Sequence, residues 1–283
     1  MTIGELYRLS VNALEKNGFD NAAFETYELL QMGGISKIKV ITEPHENVPK
    51  TAEKLIKERL EKRISGYPLQ YLAGEWEFCG LPFKVGEGVL IPRQDTETLV
   101  EFGVEFLKKN GGHSVLDLCA GSGCIGIALA KLAKAEVICA ELYDDALNYL
   151  NRNIELNEVG QYVRVVKADV TAESASELFE GNFDLIVSNP PYLTEHDMSS
   201  LQKEVSFEPK SALYGGRDGL DFYRKLIGIY PQKLKSGGAL AFEIGAGQED
   251  AVGGIFEYYN IKPSFKNDLS GTKRVIYGTF DQK

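Results

Sequence analysis

The sequence predicts an α/β protein: a doubly wound, mostly parallel sheet with an antiparallel hairpin at one edge, preceded by a small helical domain. Three observations carry that expectation. From about residue 95 onward, apolar strand-like runs alternate with helical patterns, the signature of β–α–β winding. The last two runs, near 261–266 and 273–280, have only residues 267–272 between them, too few for a helical crossover, so they pair antiparallel. Before residue 65 the periodicity is helical, broken only by short turns.

Taken in order, Ile3, Leu6, Tyr7, Leu9 and Leu14 predict a first helix ending near Gly18. A second runs from Ala22 to Met32 and is closed by Gly33-Gly34; a third covers Ala52 to Ile64, with Leu55, Ile56 and Leu60 on one face, and stops before Gly66-Tyr67-Pro68. Residues 1–73 thus form a helical domain with no chemistry of its own, read as a substrate-recognition domain rather than a stabilising cap, because a neutral bundle beside an acidic catalytic half suits a protein-docking surface. Residues 74–92 form a connector, in which Glu75-Trp76-Glu77-Phe78 and Phe83-Lys84-Val85 flank Gly80-Leu81-Pro82 as a β-hairpin. Residues 93–283 hold the sheet, with strands at 113–118, 136–141, 162–167, 183–188 and 238–243 and helices between them.

Composition narrows the function classes. The 283 residues are 43% hydrophobic and 25% charged, ordinary for a globular protein with ample core. No apolar segment follows a basic start and no 18-residue apolar run occurs, so neither secretion nor membrane spanning is expected. Cys79, Cys119, Cys124 and Cys139 form no Cys-x-x-Cys pair and none spaces with His45, His113 or His196 as metal ligands do; no metal is expected, and free thiols suit a cytoplasmic protein. Residues 1–73 carry ten basic and ten acidic residues, so the whole net charge of −10 falls on residues 74–283. An acidic catalytic half is a poor match to nucleic acid, whose affinity rests on Lys and Arg, and a better one to a basic protein partner.

The chemistry gathers at strand ends. Asn189-Pro190-Pro191-Tyr192 follows the apolar run 183–188, and a Pro-Pro pair cannot continue a strand. The chain must break there, where open α/β sheets bind ligands, presenting an amide, free carbonyls and an aromatic ring suited to holding a planar NH2 group. After strand 113–118, Cys119-Ala120-Gly121-Ser122-Gly123 opens a helix, and Gly121, Gly123 and Gly126 satisfy the Gly-x-Gly-x-x-Gly spacing of dinucleotide sites. Two residues separate the strand end from the first glycine, however, and Asp117 suits a cationic ligand better than a pyrophosphate. Glu141, closing the next strand, is placed to accept from ribose hydroxyls; Asp169 and Val170, after the third, suit an adenine amino group and ring. Taken with the amide-holding turn, these favour S-adenosylmethionine over a dinucleotide.

With those residues in view, the chain resembles class I S-adenosylmethionine-dependent methyltransferases and, more narrowly, the release-factor glutamine methyltransferases, which modify the side-chain amide of a Gly-Gly-Gln loop. The likeness runs through Gln70-Tyr71-Leu72-Ala73-Gly74, Leu90-Ile91-Pro92-Arg93-Gln94-Asp95-Thr96-Glu97, Asn189–Tyr192, Glu208-Pro209 and Gly215–Leu220 to Glu243-Ile244-Gly245 with Gln248. It implies S-adenosylmethionine held by Asp117, Cys119, Ala120, Gly121, Ser122, Gly123, Glu141, Asp169, Val170 and Asn189. It implies catalysis by Asn189, Pro190 and Tyr192, and a substrate amide held by Asn189, Pro190, Pro191 and Tyr192. Peptide chain release factors are then the expected partners, in the cytoplasm. Three positions depart from the pattern: Glu141, where the family more often has Asp; Cys119, where relatives commonly have Gly; and Val170, where some relatives carry an aromatic residue. Two rival readings remain. A nucleic-acid amino-methyltransferase would stack a flipped adenine on Tyr192, against which the acidic catalytic half weighs. A non-catalytic scaffold would have no use for an intact Asn189 and Tyr192.

Overall fold

The computed structural model describes residues 1–280. The chain divides into two compact units, one comprising residues 1–75 and 202–207, the other residues 76–201 and 208–283.

The first unit holds α1 (Ile3–Lys16), α2 (Ala22–Met32), α3 (Lys37–Thr42), α4 (Lys50–Ile64) and α5 (Leu69–Ala73). The Thr2 side chain and Glu5 form a capping box that satisfies amides at the start of α1. Ile3, Leu6, Leu30, Ile35, Val40, Val48 and Ile56 make the core. Gly33 permits close packing: a Cβ there would lie 2.5 Å from Ile56 Cδ1. Arg63 is the buried polar hub, forked onto Glu25 at 2.6 and 3.0 Å, bonded to Glu204 at 2.8 Å and lying 4.4 Å from the Phe19 ring centroid. The short helices α3 and α5 carry too few residues to show a period, so sequence periodicity alone misses them.

In the second unit, β1 (Glu75–Phe78) and β2 (Leu81–Lys84) join through Cys79 (φ 52°) and Gly80 (φ 72°), the pair of left-handed residues that a tight two-residue hairpin turn requires. The chain continues through a 3₁₀ turn at Gln94–Thr96, then α6 (Glu97–Asn110), β3 (Ser114–Leu118), α7 (Cys124–Ala133), β4 (Glu136–Glu141), α8 (Asp144–Leu156) and β5 (Val163–Lys167). After β6 (Phe183–Ser188) come α9 (Glu195–Ser199), α10 (Asp221–Ile229), β7 (Leu234–Glu243), α11 (Glu249–Tyr258), β8 (Ser264–Asn267) and β9 (Lys273–Phe280). The seven strands lie in the order β5-β4-β3-β6-β7-β9-β8, parallel from β5 to β7, with β9 antiparallel to β7 and β8 antiparallel to β9. The expected doubly wound sheet with an antiparallel edge is what the chain forms.

Alternate strand residues feed two cores: Val115, Val137, Leu185 and Ala239 pack with α6, α7 and α8 on one face, and Leu116, Ala140, Ile186 and Leu240 with α10 and α11 on the other. Differences from the sequence reading are local. Only a 3₁₀ segment, Glu173–Leu178, lies between β5 and β6, because the short stretch must also seat Phe179, fully buried, in the second core. Strand β7 begins at Leu234, ahead of the apolar run, where a register shift opposite Phe183 and Leu185 accommodates polar Lys235 and Ser236. The strand order reverses between β3 and β6, so the crevice at their carboxyl ends is the position where such sheets take ligands.

Candidate active site

A cavity of about 230 Å³ opens at those strand ends. Cys119, Ala120, Gly121 and Ser122 line it from the loop after β3, Glu141 from the end of β4, Asp169 and Val170 from the loop after β5, and Asn189 and Pro191 from the loop after β6. Asp117, Gly123, Pro190 and Tyr192, also expected at the site, are not among the lining residues, though Pro190 and Tyr192 flank Pro191, which is.

Asp117 is fully buried and turned inward, accepting from Gly126 N–H at 2.9 Å with its Oδ2. Its Oδ1 has no hydrogen-bond partner among the described residues, and burial pushes its pKa up to about 7. A Cβ on Gly126 would meet Cys139 Sγ at 2.5 Å and Asp117 Oδ2 at 2.9 Å, so that glycine serves the packing of α7 on the sheet. Gly123 begins α7 at φ 80°, where a Cβ would meet Leu150 Cδ1 at 2.2 Å. Cys119 itself sits at φ 60°, a left-handed position that a glycine adopts without strain.

The acids are partly engaged with their own loops. Glu141 Oε2 accepts from Gly121 N–H at 2.8 Å, while its Oε1 accepts from Leu142 and Tyr143 N–H at 2.7 and 2.9 Å. Asp169 is exposed and accepts from the Thr171 hydroxyl and amide, which hold its carboxyl below the usual range. Asn153, fully buried on α8, donates to Ser122 O at 2.9 Å and so ties the glycine loop down from beneath.

The Asn189–Tyr192 turn is braced from behind. Gln248 donates to Tyr192 O at 3.0 Å and accepts from Gly245 N–H at 3.0 Å. A Cβ on Gly219 would lie 2.3 Å from Tyr192 O, and one on Gly215 2.6 Å from Pro191 O, so only glycines let those strands of chain pass. Asn189 is half-buried, and its Nδ2 donates to Thr96 Oγ1 at 3.2 Å. Tyr192 is half-buried against the second core; burial and, after it, Glu243 raise its phenol pKa to about 12, so it stays protonated and is no base.

Two wall segments had no role assigned from the sequence. Val89–Arg93 lines one side, and Pro209, Ser211 and Ala212 line another. Glu208, itself buried, joins them: it accepts from Ile91 N–H at 2.9 Å and pairs with the Arg93 guanidinium. The signal was present as the Ile-Pro-Arg and Glu-Pro runs, 117 residues apart for the Ile91–Glu208 bond, but a contact at that separation has no trace in local periodicity. Among the described residues no group of three or more His, Cys, Asp or Glu is arranged to hold a metal ion, and no helix is long and apolar enough to cross a membrane.

Comparison with known proteins follows this geometry. Residues 5–74 match the PrmC N-terminal domain family and residues 95–213 the Methyltransferase small domain family. The hMettl16 catalytic domain, solved with an RNA hairpin, superposes with a TM-score of 0.60 at 12% identity, covering 92% of this chain and 93% of that one, a likeness of fold alone. The release factor glutamine methyltransferase of Geobacter sulfurreducens is 39% identical over 271 residues, 94% of this chain and 92% of its own length. That of Clostridium botulinum is 37% identical over 243 residues, 85% of each chain. The chain is a methyltransferase and belongs to the release factor glutamine methyltransferase family.

Proposed function

We propose that this protein transfers a methyl group from S-adenosylmethionine to the side-chain amide nitrogen of the glutamine in the Gly-Gly-Gln loop of peptide chain release factors, in the cytoplasm. The observation that carries this reading is Asn189: it stands on the cavity wall with its Nδ2 engaged by Thr96, leaving Oδ1 to accept from an incoming N–H.

The cavity's own chemistry supports a nucleoside that carries positive charge. Glu141 and Asp169 stand on its wall, and among the described residues its cation, Arg93, is already paired with Glu208. The amide of Gly121 in the glycine loop goes to Glu141 and that of Gly126, in the first turn of α7, goes to Asp117, which counts against a pyrophosphate cradle. Val89, Ile125, Ala140 and Val170 supply apolar wall for a base. Cys119–Ser122, Glu141, Asp169, Val170 and Asn189 would hold S-adenosylmethionine, and Asp117 and Gly123 would shape the loop from behind. When bound, that cofactor supplies an electrophilic methyl group on a sulfonium.

A primary amide nitrogen is a weak nucleophile, because its lone pair is delocalised into the carbonyl. The residues here orient it. Asn189 Oδ1 and the Pro190 carbonyl accept its two N–H groups, Tyr192 packs on the amide plane, and Pro191 holds the turn rigid. Such positioning contributes up to roughly 7–11 kcal/mol in well-oriented systems. The neutral phenol of Tyr192 fits this reading, in which no side chain removes a proton before attack.

In this reading the helical unit docks the protein substrate. It presents Ile38, Ile41 and Phe24 at 72, 65 and 51% exposure, apolar area that its own fold leaves open. The test is methyl incorporation, read by mass spectrometry, into intact release factor, a Gly-Gly-Gln peptide and adenine-bearing RNA. Methyl on the glutamine side-chain nitrogen is expected, and methyl on adenine would overturn the proposal. Ile38→Asp with Ile41→Asp is expected to lower kcat/KM on intact release factor while leaving the peptide rate unchanged; equal rates on both would remove the docking role.

A further inference from the structure

S-adenosylmethionine is more than a cationic nucleoside. Besides its sulfonium it carries an α-ammonium and an α-carboxylate, and neither acid on the cavity wall can take the carboxylate. Glu141, Asp169 and Arg93 are the charged side chains that line the cavity among the described residues. Two acids and one cation thus face a ligand with two positive groups and one negative group. A carboxylate taken out of water without a partner is costly, so the single cation is the natural receptor for it.

Arg93 stands at the right end of the cavity for that task. The strands beneath run in the order β5-β4-β3-β6, and neighbouring strands are about 4.8 Å apart, so the ends of β5 and β6 are separated by roughly 14 Å. Asp169 and Val170 follow β5, Glu141 ends β4 and Asn189 follows β6. With the base at Asp169 and Val170 and the ribose at Glu141, the amino-acid portion of the donor continues towards Asn189. Arg93 is tied to that end. Its carbonyl accepts from Thr96 N–H at 3.1 Å, and Thr96 Oγ1 accepts from Asn189 Nδ2 at 3.2 Å.

The side chain is held with an edge to spare. Glu208 engages one short segment with both oxygens: Oε2 accepts from Ile91 N–H at 2.9 Å, and Oε1 pairs with Arg93 Nη2. The same carboxyl therefore fixes both the backbone and the guanidinium of segment 91–93. A guanidinium has five N–H donors in a planar fork that matches a carboxylate. Those on Nε and Nη1 make no hydrogen bond among the described residues, and the Arg93 side chain is 36% exposed while its Glu208 partner is 1% exposed. We propose that Arg93 receives the α-carboxylate of the methyl donor through this open edge, and that Glu208 is the residue that positions it. This rests on the cofactor assigned to the cavity above.

The experiment measures, by calorimetry, the affinity for S-adenosylmethionine and for decarboxylated S-adenosylmethionine, which keeps the sulfonium and the ammonium but lacks the carboxylate. The proteins are wild type, Arg93→Gln, Glu208→Gln and the double variant, in which neither member of the pair is left as an unpaired charge. Wild type is expected to prefer the intact donor by roughly 10- to 100-fold. Arg93→Gln and the double variant should lose that preference while binding the decarboxylated ligand about as well as wild type does. Glu208→Gln keeps the cation but releases it, and should lose roughly threefold to tenfold of the preference. If the pair only braces the wall, both ligands weaken equally; that result, or a preference unchanged in the double variant, would overturn the proposal. A preference undiminished in Glu208→Gln would remove its positioning role. Binding of the intact donor by wild type without methyl transfer to glutamine would sink the functional reading and leave the role of Arg93 standing, whereas no binding of it by wild type would overturn both.

Discussion

The loop after β3 and the loop after β6 face each other across the switch point, and they are held in opposite ways. Carboxylates hold the glycine loop and the helix it opens, Glu141 through Gly121 N–H and Asp117 through Gly126 N–H on α7, with Asn153 below the loop. A distant side-chain amide and close-passing glycines hold the Asn189–Tyr192 turn, through Gln248, Gly215 and Gly219, and among the described residues the Asn189 side chain bonds to Thr96. The first loop uses acids to build a wall. The second is fixed from behind, with Asn189 on the cavity wall. Asp117 and Glu141, at strand ends, therefore serve the fold.

Substitutions can break or sharpen that contrast. The largest effect is expected from Asn189→Ala, which should lower the rate of methyl transfer by ~10²–10³-fold, the usual cost of removing one preorganised hydrogen bond at a reacting centre. Cofactor affinity should change far less; a comparable loss in cofactor binding by calorimetry would erase the division between the two loops. Next is Gly219→Ala, whose Cβ would press on Tyr192 O from 2.3 Å at a backbone φ of +76°. Displacing the turn should slow transfer by roughly 100-fold. Gly121 shares a left-handed backbone, φ +55°, but a Cβ there meets nothing within 4 Å, so Ala there strains only its own loop and should act on cofactor affinity instead.

Two of the buried carboxyls, Asp117 and Glu243, allow a comparison in stability. Asp117 and Glu243 both have folded pKa values raised to about 7 by burial, above the ordinary carboxyl range. Each native acid therefore binds its proton more tightly than the unfolded chain does. The stabilisation is full below about pH 4.5 and is lost as pH rises through about 7, by about 2 kcal/mol per group between pH 5 and 7. Denaturant melts at pH 5, 6, 7 and 8 should show that fall. Asp117→Asn and Glu243→Gln should each flatten it, and a profile unchanged in both would show that neither proton is held. The smallest effect is expected from Gln248→Ala, which removes two hydrogen bonds behind the turn and should cost about tenfold in rate, with the fold intact by circular dichroism.

Much of the fold was legible because its elements carry strong periods. The runs 136–141, 183–188 and 273–280 have the observed strand limits, and Ala22–Met32 is a helix as its spacing and the following Gly-Gly pair indicate. The 3₁₀ segment Glu173–Leu178 and the polar start of β7 were not legible, since packing and a register shift decide them. At the site, strand ends identified Cys119–Ser122, Glu141, Asp169, Val170 and Asn189 as neighbours on one cavity. They did not reveal that Asp117 turns away, because a strand residue's face depends on register and β3 directs it under α7.

The grouping of residues 202–207 with the helical unit has a consequence for the order in which the protein is made. The ribosome delivers Arg63 and Tyr67 early, yet Glu204, one carboxylate partner of Arg63, and Phe207, whose ring centroid lies 5.2 Å from that of Tyr67, are about 140 residues further along the chain. At ordinary elongation rates of about 5–20 residues per second, that is a wait of roughly 7–28 seconds. The unit that begins first therefore stays open while most of the second is synthesised. Its closing residues arrive only after the glycine loop and the Asn189–Tyr192 turn have been synthesised.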